Sequence, residues 1–120
     1  MKSISIKLCA LLLCVGASSV FAGGKIPVCK SVIPAAERED YRDAKVEAVA
    51  GRGTVFNNNE KLLPAAGKNE TYREYDLGMN QAGGRGAHRL VLLVLGGEKN
   101  QVLDQYYTDT HYSSFCEVRQ

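Results

Sequence analysis

The chain has 120 residues, with fifteen Lys and Arg against thirteen Asp and Glu, four cysteines and no tryptophan. That length holds one small domain with one modest core, and a net charge of +2 excludes a general basic coat for nucleic acid. A local cationic cleft remains open to it.

In chain order, Lys2 and Lys7 precede an apolar run from Leu8 to Gly16, and Val20-Phe21-Ala22 ends the stretch with the small residues that a signal peptidase reads. Residues 1–22 are therefore expected to be a cleaved export signal. The run is shorter than the roughly 20 residues of a membrane helix, and Cys14 follows Leu13 where a lipid anchor would need a small residue. The mature chain, residues 23–120, is expected to be secreted to periplasm or medium, free of the membrane and monomeric. Removing 22 of 120 residues leaves 98, and with Lys2 and Lys7 gone thirteen charges of each sign remain.

Two cysteines stay in the mature chain, Cys29 and Cys116. In an oxidising compartment the pair reads as a disulfide, with two free buried thiols as the alternative. A zinc site lacks suitably spaced partners, since His88 and His111 belong to no ligand pattern. No metal and no other cofactor is expected.

Pro34 followed by AAEREDYRDAKVEAVA predicts a helix over about 35–50: proline at the start, acids in the first turn, and Tyr41, Ala44, Ala48 and Val49 on one stripe. Gly51-Arg52-Gly53 stops it. From Thr54 the period shortens, predicting strands over 54–57, 71–77, 88–95, 105–108 and 112–118, with turn residues between them. One N-terminal helix packed on an antiparallel sheet is an α+β fold. Alternate side chains on a strand point to opposite faces. Tyr72, Glu74 and Asp76 thus share one face and Tyr75 and Leu77 the other, while His111, Ser113 and Phe115 oppose Tyr112, Cys116 and Val118. With Tyr75, Leu77, Cys116 and Val118 packed under the helix, Glu74 and His111 come to the open side. The run LVLLVL over 90–95, apolar on both faces, predicts the buried central strand.

Glu74, Arg85, Arg89 and His111 form a chemical set. Cleaving RNA through its own 2'-hydroxyl needs a base for that proton, an acid for the departing 5'-oxygen, and cations around the crowded phosphorane. Glutamate suits the base, imidazole the acid because its unperturbed pKa lies nearest neutrality, and planar, permanently charged guanidinium the phosphate oxygens. Upstream, Phe56, Asn57, Asn58, Asn59 and Glu60 can bind a guanine. A carboxylate at Glu60 takes the N1 and N2 hydrogens, and backbone N–H groups of the Asn-rich turn face O6. Tyr112 offers an aromatic surface for an unpaired base, with Phe56 in support.

The strings VFNNNEKLLP (55–64), TYREYD (71–76), GRGAHRL (84–90) and YYTDTHYSSF (106–115) resemble, in order and approximate separation, the bacterial guanyl-specific ribonucleases of the barnase and ribonuclease Sa-like type. The resemblance covers about half of the chain. It implies a ribonuclease domain over 23–120, single-stranded RNA as substrate, Glu74 as base, His111 as acid, and two phosphate-binding arginines at the spacing of Arg85 and Arg89. A small acidic barstar-like protein inhibitor is a further implied partner. Family members commonly carry arginine where this chain has Asn59 and aspartate where it has Thr110. Those two departures motivate the alternative of a catalytically silent RNA- or protein-binding relative.

Overall fold

A computed structural model describes residues 25–30 and 33–119. The expected signal peptide, 1–22, lies outside the described residues. Among those described, no helix is long and apolar enough to cross a membrane.

Pro34, with φ −54°, leads into a single 3-10 turn, Ala35–Glu37, and then helix α1, Arg38–Val49. Glu39 and Asp40 sit in the first turn of α1, where the unpaired N–H groups and the helix dipole favour negative charge. The helix ends because Gly51 turns left-handed, φ 78°. Its N–H bonds to the carbonyl of Ala48 at 2.9 Å while that of Arg52 bonds to Glu47 at 2.8 Å, a Schellman closure.

The sheet has five strands in sequence order, each antiparallel to the next: β1 Thr54–Val55, β2 Glu70–Asp76, β3 Arg89–Leu95, β4 Gln101–Thr108 and β5 Cys116–Glu117. It is the expected α+β arrangement. Strand β3 occupies the middle, and Leu90, Val91 and Leu92 are wholly shielded from water.

Two apolar clusters divide by strand parity. On one face Leu77, Leu90, Leu92 and Val94 pack against Tyr41, Ala44 and Ala48 of α1. On the other, Tyr72, Val91, Leu93 and Tyr106 pack beneath Leu63 and Phe115, with Phe56, Tyr112 and Ile26 partly buried at the margin. The face away from the helix is therefore only half open. Loop residues cap one half; Glu74, Asp76 and Arg89 share that face at the other.

Three strand expectations need correction. Residues 112–118 do not run as one strand: only Cys116–Glu117 pair, and 109–113 form a turn in which His111 has φ 54° and Tyr112 φ 75°. Two successive left-handed residues end any extended run. Strand β4 begins four residues earlier than the expected 105, because a bulge opposite Leu93 and Val94 lets the polar segment from Gln101 pair. Bulges shift alternation by one, which hides such a strand from pattern reading. The first expected strand, 54–57, is regular only at Thr54–Val55.

Cys29 and Cys116 are joined in a disulfide across 87 residues of sequence. It reinforces a short ladder: Cys29 N–H donates to the carbonyl of Glu117 at 2.9 Å, and Glu117 N–H to that of Pro27 at 2.7 Å. Closing so long a loop stabilises a domain by about 4 to 5 kcal/mol in the chain-entropy model. Replacing both cysteines by alanine is expected to lower unfolding free energy by roughly 2 to 5 kcal/mol in urea titrations. A loss below about 1 kcal/mol would show that the short ladder holds the ends without the bridge.

Candidate active site

The open half of the sheet collects charge from two adjacent strands and borders a third. Asp76 of β2 pairs in register with Arg89 of β3, and Arg89 with Thr108 of β4. Glu74 lies two residues from Asp76 on the same face, opposite Thr54 of β1. Arg85 reaches in from the loop between β2 and β3. Thr54, Glu74, Asp76 and Arg85 also border a groove of about 490 Å³ whose other wall is α1, with Asp40, Asp43 and Glu47.

Asp76 is the centre of this arrangement. Arg85 donates to it twice, Nε to Oδ2 at 2.7 Å and Nη2 to Oδ1 at 2.8 Å. The Nε of Arg89 lies 3.0 Å from Oδ1. The latter is an ion pair without hydrogen-bond alignment, since that buried N–H finds no properly aimed acceptor. Arg89 is further fixed by Nη1, which donates to the carbonyls of Gly86 at 2.7 Å and His88 at 2.9 Å. Its side chain is 3% exposed, against 69% for Arg85. One arginine is thus built in and the other stands at the surface. Each keeps one terminal nitrogen outside these bonds, Nη2 of Arg89 and Nη1 of Arg85, as a phosphate clamp requires.

Glu74 is held from the far side of the site. The Tyr112 hydroxyl donates to one of its carboxylate oxygens. The second oxygen remains for another donor. The Tyr112 ring stacks on Phe56, centroids 5.4 Å apart and planes at 23°, and the Arg89 guanidinium stands 5.9 Å from its centre. Burial, reinforced by the hydrogen bond and charge of Glu74 and opposed by Arg89, pushes the Tyr112 phenol up to about 12. It stays protonated and donating at neutral pH.

His111 is exposed, at the tip of the turn after β4, and its backbone N–H donates to the carbonyl of Ala87 at 3.2 Å. Its ring lies 4.9 Å from that of Tyr112. Tyr112 therefore touches both Glu74 and His111, which brings the two groups to one side of the sheet although the strand expected to carry His111 is a turn.

The loop expected to read the base is shaped by one residue. Asn58, φ 55°, donates through Nδ2 to the carbonyl of Leu63 at 2.8 Å and accepts from Leu63 N–H at 3.1 Å. Its side chain is spent on the loop's own form. Asn57, Asn59 and Glu60 stay exposed, and Phe56 is anchored by its N–H to the carbonyl of Tyr72 at 2.9 Å.

His88 and Arg73 belong elsewhere. His88 Nδ1 lies 2.6 Å from the buried Glu37 and 3.0 Å from the Tyr107 hydroxyl, on the helix side. Arg73 donates to the carbonyl of Gly53 at 2.7 Å. Among the described residues no group of three or more His, Cys, Asp or Glu is placed to hold a metal ion.

The ribonuclease family model matches residues 16–119. The chain belongs to the ribonuclease family. No curated protein matches it. Membership makes the chain an RNA-cleaving enzyme, with RNA as the class of molecule it acts on.

Sequence reasoning missed Asp76 as the residue that gathers both arginines of this ribonuclease. The signal was present, since Asp76 shares the parity of Glu74 within TYREYD. Nothing in the sequence marked Thr108.

The hydrogen bonds from Arg85, aided by the charges of Arg89, Arg85 and His111 and opposed by burial, hold the Asp76 carboxyl below its ordinary range. A carboxyl depressed on folding contributes stability above its unfolded pKa of about 3.9 and loses it as pH falls through the folded value. Thermal melts of wild type and Asp76→Asn are expected to converge as pH drops below about 4. Curves that stay equally far apart from pH 6 to pH 2 would mean that the ion pairs add nothing.

Proposed function

We propose that this ribonuclease is an exported endonuclease that cuts single-stranded RNA after guanosine without a metal ion. The observation that carries the reading is the convergence of Glu74, His111, Arg85 and Arg89 around Tyr112 and Asp76 on the uncapped half of the sheet. Export is supported by the leader-like residues 1–22 and by the disulfide, which persists in an oxidising compartment.

Glu74 takes the 2'-hydroxyl proton on the carboxylate oxygen that Tyr112 leaves free. The 2'-oxygen bonds to phosphorus, the bond to the 5'-oxygen breaks, and His111 protonates that oxygen as it leaves. The products are a 2',3'-cyclic phosphate and a free 5'-hydroxyl. In the slower second step the roles reverse: His111 draws a proton from water, the water oxygen bonds to phosphorus, the bond from phosphorus to the 2'-oxygen breaks, and Glu74 returns a proton to that oxygen, leaving a 3'-phosphate. The free nitrogens of Arg85 and Arg89 meet charge as it grows on the phosphorane oxygens. The nucleophile is internal to the substrate and the cations are side chains, so the chemistry asks for no metal. Glu60 and the Asn57 to Asn59 backbone read guanine, and Tyr112 offers the stacking surface. The exposed Arg85 gives an acidic protein inhibitor its natural anchor.

Cleavage of GpN dinucleotides by the mature chain is expected to continue in EDTA. Glu74→Gln and His111→Ala should each cost roughly 10²- to 10⁴-fold in kcat. The rate–pH profile of the wild type should be bell-shaped, with its acidic limb lost in the first variant and its alkaline limb in the second. Guanosine monophosphate binding without any turnover would instead establish a silent binding module.

Glu60→Gln is expected to lower kcat/KM for GpN by about ten- to a hundredfold, the range for losing hydrogen bonds to a charged group, and to leave ApN nearly unchanged. Equal losses on both dinucleotides would remove Glu60 from base recognition.

A further inference from the structure

The least expected feature of the site is the turn that carries His111 and Tyr112. Two adjacent side chains assigned to proton transfer and stacking both sit on left-handed backbone, φ 54° and 75°. L-residues with side chains of this size rarely adopt it, and it persists where surroundings impose it. The imposing group is a single hydroxyl.

Thr108, the last residue of β4, is 1% exposed. Its Oγ1 lies 3.2 Å from the N–H of Thr110, 3.2 Å from the N–H of Tyr112 and 3.1 Å from the Thr110 hydroxyl. A hydroxyl has two acceptor lone pairs and one hydrogen. The two N–H groups fill the lone pairs, so the hydrogen goes to Thr110. Thr110 Oγ1 also accepts from Ser114 N–H at 3.0 Å, which leaves its own hydrogen for the Ser114 hydroxyl at 3.0 Å or the Ser114 carbonyl at 3.5 Å. The chain of donors has one direction and leaves the Thr108 hydroxyl fully satisfied. It brackets His111 on both sides, gripping the amides of residues 110 and 112.

We propose that Thr108 is a positioning residue for catalysis, its buried hydroxyl fixing the strained turn that aims His111 and Tyr112 at the scissile phosphate. The inference rests on His111 being the acid. Thr108 pairs with Arg89 across the sheet, so one register position fixes both the phosphate-binding cation and the proton donor. Thr110, where resembling enzymes carry aspartate, serves here as the recipient of the Thr108 hydrogen and the link to Ser114.

A double-mutant cycle on GpN cleavage tests it, run well below the melting temperature of each variant. Thr108→Val keeps the volume and removes the hydroxyl. Its kcat is expected to fall roughly ten- to a hundredfold, the scale of an ångström-sized misplacement, and Thr108→Ser should recover to within about threefold of wild type. In a His111→Ala background the same Thr108→Val change should cost less than about twofold, because residues acting as one unit are not additive. Equal losses in both backgrounds, or a folded Thr108→Val variant at wild-type rate, overturn the proposal. If Thr108→Val does not fold, amide exchange in the wild type decides: protection of Thr110 and Tyr112 supports the grip, and free exchange at both overturns it. A wild type without turnover on GpN overturns the functional reading itself, which separates that failure from a flat cycle in an active enzyme.

Discussion

Two guanidinium groups cannot wait side by side for a phosphate unless something first cancels their repulsion. At 4 Å and an effective dielectric of 20, two like charges cost about 4 kcal/mol. Asp76 supplies the cancelling charge, with Arg85 on one side and Arg89 on the other. The pairs are not a large source of stability, because Arg85 is mostly exposed and Asp76 nearly half so. Their value is geometric. The cations are brought together before substrate arrives, so that little reorganisation is left for the moment of charge development.

The rest of the fold can be understood as what it takes to present that carboxylate. A seven-residue strand carries Asp76 and Glu74 outward because Tyr75 and Leu77 face the helix. Its neighbour β3 is apolar on both sides except at its first residue, where Arg89 stands opposite Asp76. Loop residues then cap half of the outward face with a second apolar cluster. A sheet covered on both sides over most of its length is also stiff, and stiffness is what an acid and a base separated by one phosphodiester demand.

Much of this could be read from the residues because it follows from short-range rules. Pro34, the acids after it and Gly51 set the limits of the helix, and the alternation of Tyr72, Glu74 and Asp76 set the face of the base. The unbroken apolar run at 90–95 located the central strand. What could not be read depends on backbone states that side chains do not announce. The stretch from His111 to Val118 alternates as a strand would, yet two left-handed residues turn it away from the sheet. The early half of β4 is concealed by polar residues and a bulge. Asn58 looked like part of a contact surface, and its amide is in fact consumed in holding Leu63. In each case a backbone state or a hydrogen bond overrode the side-chain pattern.

On the proposed assignment, base recognition and bond cleavage would meet at one aromatic residue. Tyr112 stacks on Phe56 of the recognition loop, touches the ring of His111 and donates to Glu74. A nucleotide pressing on its ring would act on a side chain already bonded to Glu74 and adjacent to His111. Because the amide of Tyr112 is held by Thr108, such a push cannot easily be absorbed by the backbone. The other fixed partner of Tyr112 is the Glu74 carboxylate, which its hydroxyl holds. On the proposed assignment, one residue would thus tie the identity of the base to the placement of the catalytic groups, through contact between rings and a single hydrogen bond.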